Sequence, residues 1–319
     1  MDWPKVSTIL LNWNGYDVSK ACIDSLLPIT YPRHEIVLID NASADGSGTR
    51  LHAEFPGLDY VQNDRNLGFA RGCNVGIRRA MKAGADFVLL LNNDVVVEPG
   101  FLEPLVALAR KDESIGLVSG KMHLMGTDNL LWYAGAQISR IRGNVVVDGF
   151  RQADDGRFDQ TREVGACTGA MMLIRRRVLE TVGLLPEEYF FGQEEWDYSI
   201  TVHKAGFRLY YCAESLVHHR ADGSHGNTSP KIIYCGMRNR LIFQNKFLPQ
   251  RVFKVWLAAY SFYVQHIAGK RLRLLGDDLR AYKLAHSAAV RDHRKHGRLY
   301  VDEEDLLNFE REFVLSKLA

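Results

Sequence analysis

Several features that would define a protein class are missing from this 319-residue sequence. Its five cysteines are widely spaced and contain no C-x-x-C pair, which indicates reduced core thiols in a reducing compartment rather than a disulfide framework. No apolar run approaches the roughly 20 residues that span a bilayer. The N-terminal MDWPKV leads directly into a strand pattern without the regions of a secretory signal, so we expect a cytoplasmic location.

A strong overall charge is missing too, because the net charge is only +2. The charge is nevertheless uneven. Residues 230–298 carry 15 Lys/Arg against 3 Asp/Glu, whereas residues 299–319 carry 2 against 6. The basic tract is therefore where an anionic partner such as a membrane, nucleic acid or lipid phosphate is expected.

Strand-like and helix-like patterns alternate through the first 125 residues. The strand-like runs are KVSTILLNW, EIVLID, LDYVQN, DFVLLLNND and IGLVSGKM. Such alternation predicts an α/β fold with a mixed, mostly parallel sheet and helices on both faces. In sheets of this kind, ligands bind at the carboxyl ends of the strands.

The second half of the chain changes character twice. Residues 126–165 are rich in Gly, Asp and Arg and predict hairpins, after which CTGAMMLIRR and FRLYYC return to strand patterns. The segment EEWDYSITVHKAG predicts a helix that ends at Gly206. Helical patterns then dominate at about 231–247, 250–268, 275–296 and 303–317, so we predict a first domain over 1–228 and a basic helical region over 229–319.

Polar residues follow four of the predicted strands, as NWNG, DNASADGS, QNDRNLGFARGCN and NND. Each alone is typical of a turn, but four at one edge of a parallel sheet indicate a binding site. A dinucleotide site would need G-x-G-x-x-G after the first strand, where only Gly15 is present. The series Gly68, Gly72 and Gly76 lies inside a later helix pattern, which argues against a nicotinamide oxidoreductase.

Two groups of residues are candidates for chemistry. Asp94 at a strand end would suit Mg2+ or Mn2+, which prefer oxygen ligands, and His218 is its candidate partner, although His218 taken alone fits a surface loop histidine better. Glu194, Glu195 and Asp197 open a helix, where they are either a catalytic base or charges that complement the helix dipole.

Seven motifs taken together resemble glycosyltransferases of family 2, in the rhamnosyltransferase-like branch. They are ILLNWNG, IDNASADGS, NLGFARGCNVG, LLLNNDV, TGAMMLIRR, FGQEEWDYSI and VHH, in family order across residues 4–245. The resemblance implies a GT-A fold with a donor-binding part at about 1–125 and an acceptor part at about 126–228. It also implies a nucleoside diphosphate sugar donor, dTDP- or UDP-linked, and a glycan or lipid-linked acceptor in cell-surface polysaccharide synthesis.

The resemblance also assigns roles to individual residues. The positions matching the nucleotide-sugar pocket are Asn12, Asn14, Asp40, Asn41, Asn66, Gly68, Phe69, Arg71, Asn74, Asn92 and Asn93. The D-x-D signature of the family is Asn92-Asn93-Asp94 here, so metal binding would depend on Asp94, and His218 rather than His219 best fits the second ligand. The family's Glu-Asp pair, which supplies the base, matches Glu194-Glu195, and Glu195 or the nearby Asp197 would deprotonate the acceptor in an inverting displacement.

The basic C-terminal helices have two interpretations. They either form a bundle with a solvated charged face, or they contact an anionic membrane at the inner face of the cell membrane with Trp256, Tyr260, Phe262 and Tyr263 as interfacial aromatics. They also leave a homodimer open. Two other functions are alternatives: a related module that binds nucleotide or glycan without turnover, and a nucleic-acid binder, which is disfavoured because the tail lacks RNA-binding and zinc motifs.

Overall fold

The computed structural model describes residues 3–139, 144–220, 229–274, 276–296 and 302–318. The chain divides into two compact units. The first comprises residues 1–139, 145–186 and 195–221, and the second comprises 140–144, 187–194 and 222–319. The boundary predicted near residue 228 falls within 221–228, which lies outside the described residues.

The first unit is built on one large sheet, with a smaller sheet of two strands beside it. The strands of the large sheet are β1 Val6–Asn12, β2 His34–Asp40, β3 Asp59–Gln62, β4 Phe87–Asn92, β5 Val95–Val97, β6 Ile115–Leu124, β7 Leu131–Tyr133, β10 Arg162–Glu163, β11 Met171–Arg175 and β12 Arg208–His219. Strands β8 Ala136–Ser139 and β9 Asn144–Val147 form the small sheet. The main order is β10-β12-β6-β11-β4-β1-β2-β3, with β5 paired to β12 and β7 to β6.

Most strands of the main path point in the same direction. Strand β1 pairs in parallel with β2 and β4, β2 pairs in parallel with β3, and β6 pairs in parallel with β12. Strand β11 lies antiparallel between β4 and β6, so β4 and β6 also share a direction. The mixed, mostly parallel sheet predicted from the sequence is confirmed, and Asn12, Asp40 and Asn92 end three adjacent strands at one edge.

Helices cover the sheet of the first unit. They are α1 Tyr16–Leu26, α2 Ser47–Glu54, α3 Gly68–Lys82, α4 Leu102–Lys111, α5 Arg176–Thr181 and α6 Glu194–Lys204. Helix α3 packs closely on β1 because two of its residues lack a Cβ: a Cβ at Gly72 would lie 2.7 Å from Leu11 Cδ1, and one at Gly76 would lie 2.5 Å from Ile9 Cγ2. The glycine series of α3 therefore serves helix–strand packing.

The second unit is helical, as predicted. Its helices are α7 Pro230–Phe247, α8 Gln250–His266, α9 Ala268–Leu272, α10 Gly276–His296 and α11 Glu303–Leu318. Tyr234 stacks on Phe309 with ring centroids 4.6 Å apart and donates to Asp292 Oδ2 at 2.8 Å. Asn239 of α7 donates to the carbonyl oxygens of Phe191 at 2.8 Å and Gly192 at 2.6 Å, which ties residues 187–194 to this unit. Within the described ranges, no helix has both the length and the hydropathy to cross a membrane.

Candidate active site

A buried hydrogen-bond network joins the ends of β1, β2 and β4. Asn12 donates from Nδ2 to Asp40 Oδ1 and to Ser47 Oγ, each at 2.9 Å. Ser19 Oγ donates to Asn12 Oδ1 at 2.8 Å and accepts from Asn93 Nδ2 at 2.7 Å. The predicted residues Asn12, Asp40 and Asn93 are therefore brought together, with Ser19 as a link that the motifs did not identify.

Asn14 fastens the loop after β1 to the loop after β2. Its backbone has a φ of 51°, a left-handed conformation that Asn tolerates better than most residues. Its side-chain Oδ1 accepts from the backbone N–H of Ala44 at 2.8 Å and of Asp45 at 3.3 Å. Its own backbone N–H donates to Ser43 Oγ at 2.9 Å. Asn14 thus shapes one rim of the sheet edge.

Asn41 forms a second polar centre at the end of β2. Its Nδ2 donates to Asn66 Oδ1 at 2.8 Å and to the Gly68 carbonyl at 3.2 Å, so these three predicted residues lie together. Asn74, in contrast, is fully buried in α3, where its side chain exchanges two hydrogen bonds with the backbone of Leu185. This pairing gives Asn74 a structural role in addition to its predicted place near the nucleotide.

Phe69 and Glu195 both lie close to Gly169, in the loop that precedes β11. A Cβ added at Gly169 would lie 3.3 Å from Phe69 Cε1 and 3.7 Å from Glu195 Cβ. The next residue, Ala170, accepts a hydrogen bond from the backbone N–H of Asn92 at 3.0 Å. Glu195 is therefore held next to the end of β4. Arg71 is partly exposed in the first turn of α3.

The three carboxylates at the start of α6 differ in their surroundings. Asp197 is fully buried, and Thr201 Oγ1 donates to its Oδ1 at 3.3 Å. Glu194 is 3% exposed, whereas Glu195 is partly exposed. Only Glu195 of these three combines access to solvent with a position beside the β4 end.

Asp94 meets His219 rather than His218. The Nε2 atom of His219 lies 3.1 Å from Asp94 Oδ1, and both side chains are largely buried. His219 pairs with Val95 in the β5–β12 register, which explains its place next to Asp94. His218 is on the more exposed side of β12, where its Nε2 lies 2.9 Å from Glu98 Oε1.

Several buried polar atoms around this pair form no hydrogen bond within the described part of the chain, although Asp94 Oδ1 and His219 Nε2 lie 3.1 Å apart. They are Asp94 Oδ1, both ring nitrogens of His219 and the indole Nε1 of Trp132. The Trp132 ring packs on His219 with centroids 4.3 Å apart. Buried polar groups are nearly always satisfied in native proteins, so a cluster of unsatisfied ones indicates a place for an ion or ligand. Sequence reasoning missed Trp132, because an isolated tryptophan in a hairpin region carries no signal.

The Asp94–His219 pair fits a divalent cation. Two neighbouring ligands of an octahedral ion with bonds of about 2.1 Å lie about 3 Å apart, close to the observed separation. A carboxylate oxygen with an imidazole nitrogen suits Mn2+ better than Mg2+, which strongly prefers oxygen. No cluster of three or more His, Cys, Asp or Glu side chains that could hold a metal occurs among the described residues, so further ligands would come from the substrate or water.

A buried lysine lies close to the histidines of β6 and β12. Lys121 Nζ lies 2.8 Å from Asp154 Oδ2, and His123 Nε2 lies 2.9 Å from the same oxygen. Burial raises the pKa of Asp154, but the hydrogen bonds from Lys121 and His123 outweigh it, so this pKa is lowered overall. The His123 and His218 rings are 5.8 Å apart. These contacts fix the segment 150–160 against β6.

A mixed sheet with polar and acidic groups at its parallel strand ends is compatible with the GT-A fold, and the solved structures that match this chain show that fold. The sequence model of glycosyl transferase family 2 matches residues 7–183, more than half of the chain, so the chain belongs to that family as its motifs predicted. Solved structures share the fold. A Pyrobaculum calidifontis mannosyltransferase in complex with GDP-Man and Mn2+ aligns with 99% of this chain and 81% of its own at 16% identity, with a TM-score of 0.55.

A further solved structure shares the fold, and two curated proteins are similar in sequence. GalNAc-T7, solved with UDP, GalNAc and Mn2+, aligns at 19% identity and a TM-score of 0.61 over 90% of this chain and 55% of its own. An O-antigen biosynthesis protein of Myxococcus xanthus is 26% identical over 72% of this chain but 18% of its own length. A Mycobacterium tuberculosis N-acetylglucosaminyl-diphospho-decaprenol L-rhamnosyltransferase is 27% identical over 58% of this chain and 66% of its own. The chain thus spans only part of these two curated relatives.

Proposed function

We propose that this chain moves a sugar from a nucleoside diphosphate sugar to a hydroxyl group of a glycan or lipid-linked acceptor, with inversion at the anomeric carbon. The observation that carries the proposal is the buried Asp94–His219 pair near the sheet edge that holds Asn12 and Asp40. Among the described residues, polar atoms of this pair have no hydrogen-bond partner. Membership of glycosyl transferase family 2 supports the reaction class.

The names of the relatives favour particular substrates. The Mycobacterium tuberculosis relative is named as a rhamnosyltransferase acting on a lipid-linked diphosphate sugar, and the Myxococcus xanthus relative is named for O-antigen biosynthesis. We therefore place dTDP-rhamnose first among donors, followed by UDP-linked hexoses, in cell-surface polysaccharide synthesis. Five buried free cysteines support a reducing, cytoplasmic location for the reaction.

Asp94 and His219 are the residues that would hold a Mg2+ or Mn2+ ion, and two structural neighbours were solved with Mn2+. When bound, such an ion would compensate the negative charge on the departing nucleoside diphosphate. The chain supplies the remaining functions. The network of Asn12, Asp40 and Asn93 fixes the loops that would bind the nucleotide, and Trp132 packs His219 in place.

Glu195 is the proposed general base. Its carboxylate would take the proton of the acceptor hydroxyl as that oxygen bonds to the anomeric carbon and the bond to the diphosphate oxygen breaks. Its partial exposure and its place beside Phe69 and Gly169 support this role. Asp197 is less suited because it is fully buried and bonded within α6.

Substitution of Glu195 tests this assignment. Glu195→Gln keeps the shape of the side chain but removes the proton acceptor, so we expect turnover to fall by about 100-fold or more while donor affinity stays near wild type. Transfer would be followed with purified donor and acceptor, and donor affinity by calorimetry. Glu194→Gln and Asp197→Asn are matched controls on the same helix.

Other results would identify a different base or a function without turnover. Loss of both donor binding and turnover in Glu195→Gln would contradict a role of Glu195 as base. If Asp197→Asn lost turnover and Glu195→Gln did not, Asp197 would be the base. A wild-type chain that binds donor with Mn2+ but neither transfers nor hydrolyses it would be a binding module without turnover.

A further inference from the structure

Helix α8 of the second unit presents an unusual outer face. Its inner side buries Phe253, Tyr260 and Val264 within the unit. The solvent side, in contrast, exposes large apolar residues: Val252 at 49%, Val255 at 72% and Phe262 at 60%. The other exposed residues of α8 are Ala258 and Ala259 together with Gln250, Arg251, Lys254 and His266. A helix on the surface of a globular protein normally turns polar residues outward, so this face lacks the expected pattern.

Val252, Val255 and Phe262 share one side of α8 because they follow helical spacing. Two more exposed apolar residues follow in the chain, Ile267 at 44% and Leu272 of α9 at 48%. We call these five residues, Val252, Val255, Phe262, Ile267 and Leu272, the apolar stripe. Exposed apolar residues grouped in this way indicate an interaction site.

The segment that carries the apolar stripe is also basic. Its exposed basic residues include Arg251, Lys254, Lys270, Arg271 and Arg273. The sequence contains no Asp or Glu from position 223 to position 276, and Asp277 and Asp278 follow at the start of α10. An apolar and predominantly basic surface suits a partner that is apolar in one part and anionic in another.

A cleft next to the stripe adds a second feature. It has a volume of about 510 Å³, and its lining includes His266, Lys270, Arg273 and Lys283 beside Leu274 and Leu279. Helices α9 and α10 approach closely there, since a Cβ at Gly269 would lie 2.6 Å from Leu279 Cδ1. A cleft with basic and aliphatic walls suits a phosphate headgroup with its glycerol and upper acyl chain.

We propose that the apolar stripe and the basic cleft dock the protein on a bilayer of anionic phospholipid, with α8 lying in the interface plane. Val255 and Phe262 enter the boundary between headgroups and acyl chains, and the flanking Lys and Arg residues pair with lipid phosphates. Because the inner side of α8 is buried in the unit, the helix would lie on the membrane surface rather than cross the membrane. Tyr260 is buried and so takes no part, unlike Phe262.

A second copy of the chain fits this surface less well. Two such faces in contact would bring Arg251, Lys254 and their counterparts together without any acidic residue from the same stretch to compensate them. An anionic bilayer offers complementary charge and an apolar interior at once.

Vesicle sedimentation of the full chain tests the proposal. We expect binding to vesicles of phosphatidylcholine and phosphatidylglycerol in equal parts, little binding to phosphatidylcholine alone, and release at high salt because screening weakens the phosphate contacts. The double variant Val255→Ser/Phe262→Ser and the triple variant Lys270→Glu/Arg271→Glu/Arg273→Glu should each lower the partition coefficient by about tenfold or more.

Matched substitutions elsewhere control for general effects. Leu307→Ser/Val314→Ser removes apolar residues that are 43% and 53% exposed on α11 of the same unit, and Lys111→Glu/Arg177→Glu/Arg311→Glu reverses the same amount of charge. Both should bind vesicles as the wild type does. Equal binding by the stripe variants and these controls would overturn the proposal, as would absence of wild-type binding. A dimer in ultracentrifugation that Val255→Ser/Phe262→Ser dissociates would also overturn it, in favour of a second copy.

Discussion

Asp40 is both a predicted nucleotide-binding residue and a member of the buried hydrogen-bond network at the sheet edge. It is 1% exposed, and its two carboxylate oxygens accept from Asn12 Nδ2, Ser43 Oγ and the Ser43 backbone N–H. Helix α2 begins directly above it, so that a Cβ at Gly48 would lie 2.2 Å from Asp40 Cγ. Asp40 can therefore occupy this position only because Gly48 has no side chain.

Gly48→Ala should therefore disturb the nucleotide side of the site. The added methyl group forces Asp40 away from Asn12, and overpacking of this kind costs about 1–3 kcal/mol of unfolding free energy. Urea unfolding and donor titration would measure the two effects. Gly57→Ala is the control, because a Cβ there would meet no atom within 4 Å. If Gly48→Ala bound donor as tightly as Gly57→Ala, Asp40 would have no part in the site.

At the scale of elements, the β1–β2 pair carries a partly buried histidine that links stability to pH. His34 begins β2, and its Nε2 lies 2.7 Å from Thr8 Oγ1 on β1. Burial lowers the pKa of His34 from 6.5 to about 4, with a smaller opposing effect of Glu35. The unfolded chain therefore binds a proton at this residue at a higher pH than the folded chain does.

Falling pH therefore destabilises the folded chain through His34. Stability from a neutral His34 is fully present above pH 6.5 and is lost as the pH falls toward about 4, by up to about 3 kcal/mol. Urea unfolding at a series of pH values should show this slope in the wild type and a smaller slope in His34→Gln. The exposed His203→Gln serves as control, and equal slopes in all three proteins would contradict the prediction.

Elements with strong local patterns were predictable, whereas short paired ones were not. The predicted helices at 231–247 and 303–317 match α7 and α11 within two residues at each end, because their periodicity is long and their starts are marked. Strand β5 has only three residues, and β12 continues past Cys212 across an irregularity to His219. That continuation depends on pairing with β6 and β5, which are distant in sequence.

At the scale of the whole molecule, ligand binding should raise the free energy of unfolding. A ligand that binds only the folded chain raises the unfolding free energy by about 2.7 kcal/mol at 100 times its dissociation constant. A panel of nucleoside diphosphate sugars with and without Mn2+ should therefore identify the donor as the compound with the largest metal-dependent rise in melting temperature.

Variants of the metal pair sharpen the same measurement. Asp94→Asn and His219→Gln should lose the Mn2+-dependent part of the rise, and His218→Gln should keep it, because His219 and not His218 lies beside Asp94. Comparing each variant with and without Mn2+ cancels any loss of intrinsic stability. A loss confined to His218→Gln would support the sequence-based choice of His218 instead.

The sequence by itself determined the α/β class, the family and the polar strand ends, because periodicity and turn residues are local properties that the chain displays in order. Tertiary structure alone decided which of two adjacent histidines meets Asp94, where Trp132 packs and which side of α8 stays uncovered. These features arise from contacts between residues 80 to 130 positions apart or from the burial of one helix side. A local sequence pattern cannot predict them, because it contains no information about distant partners.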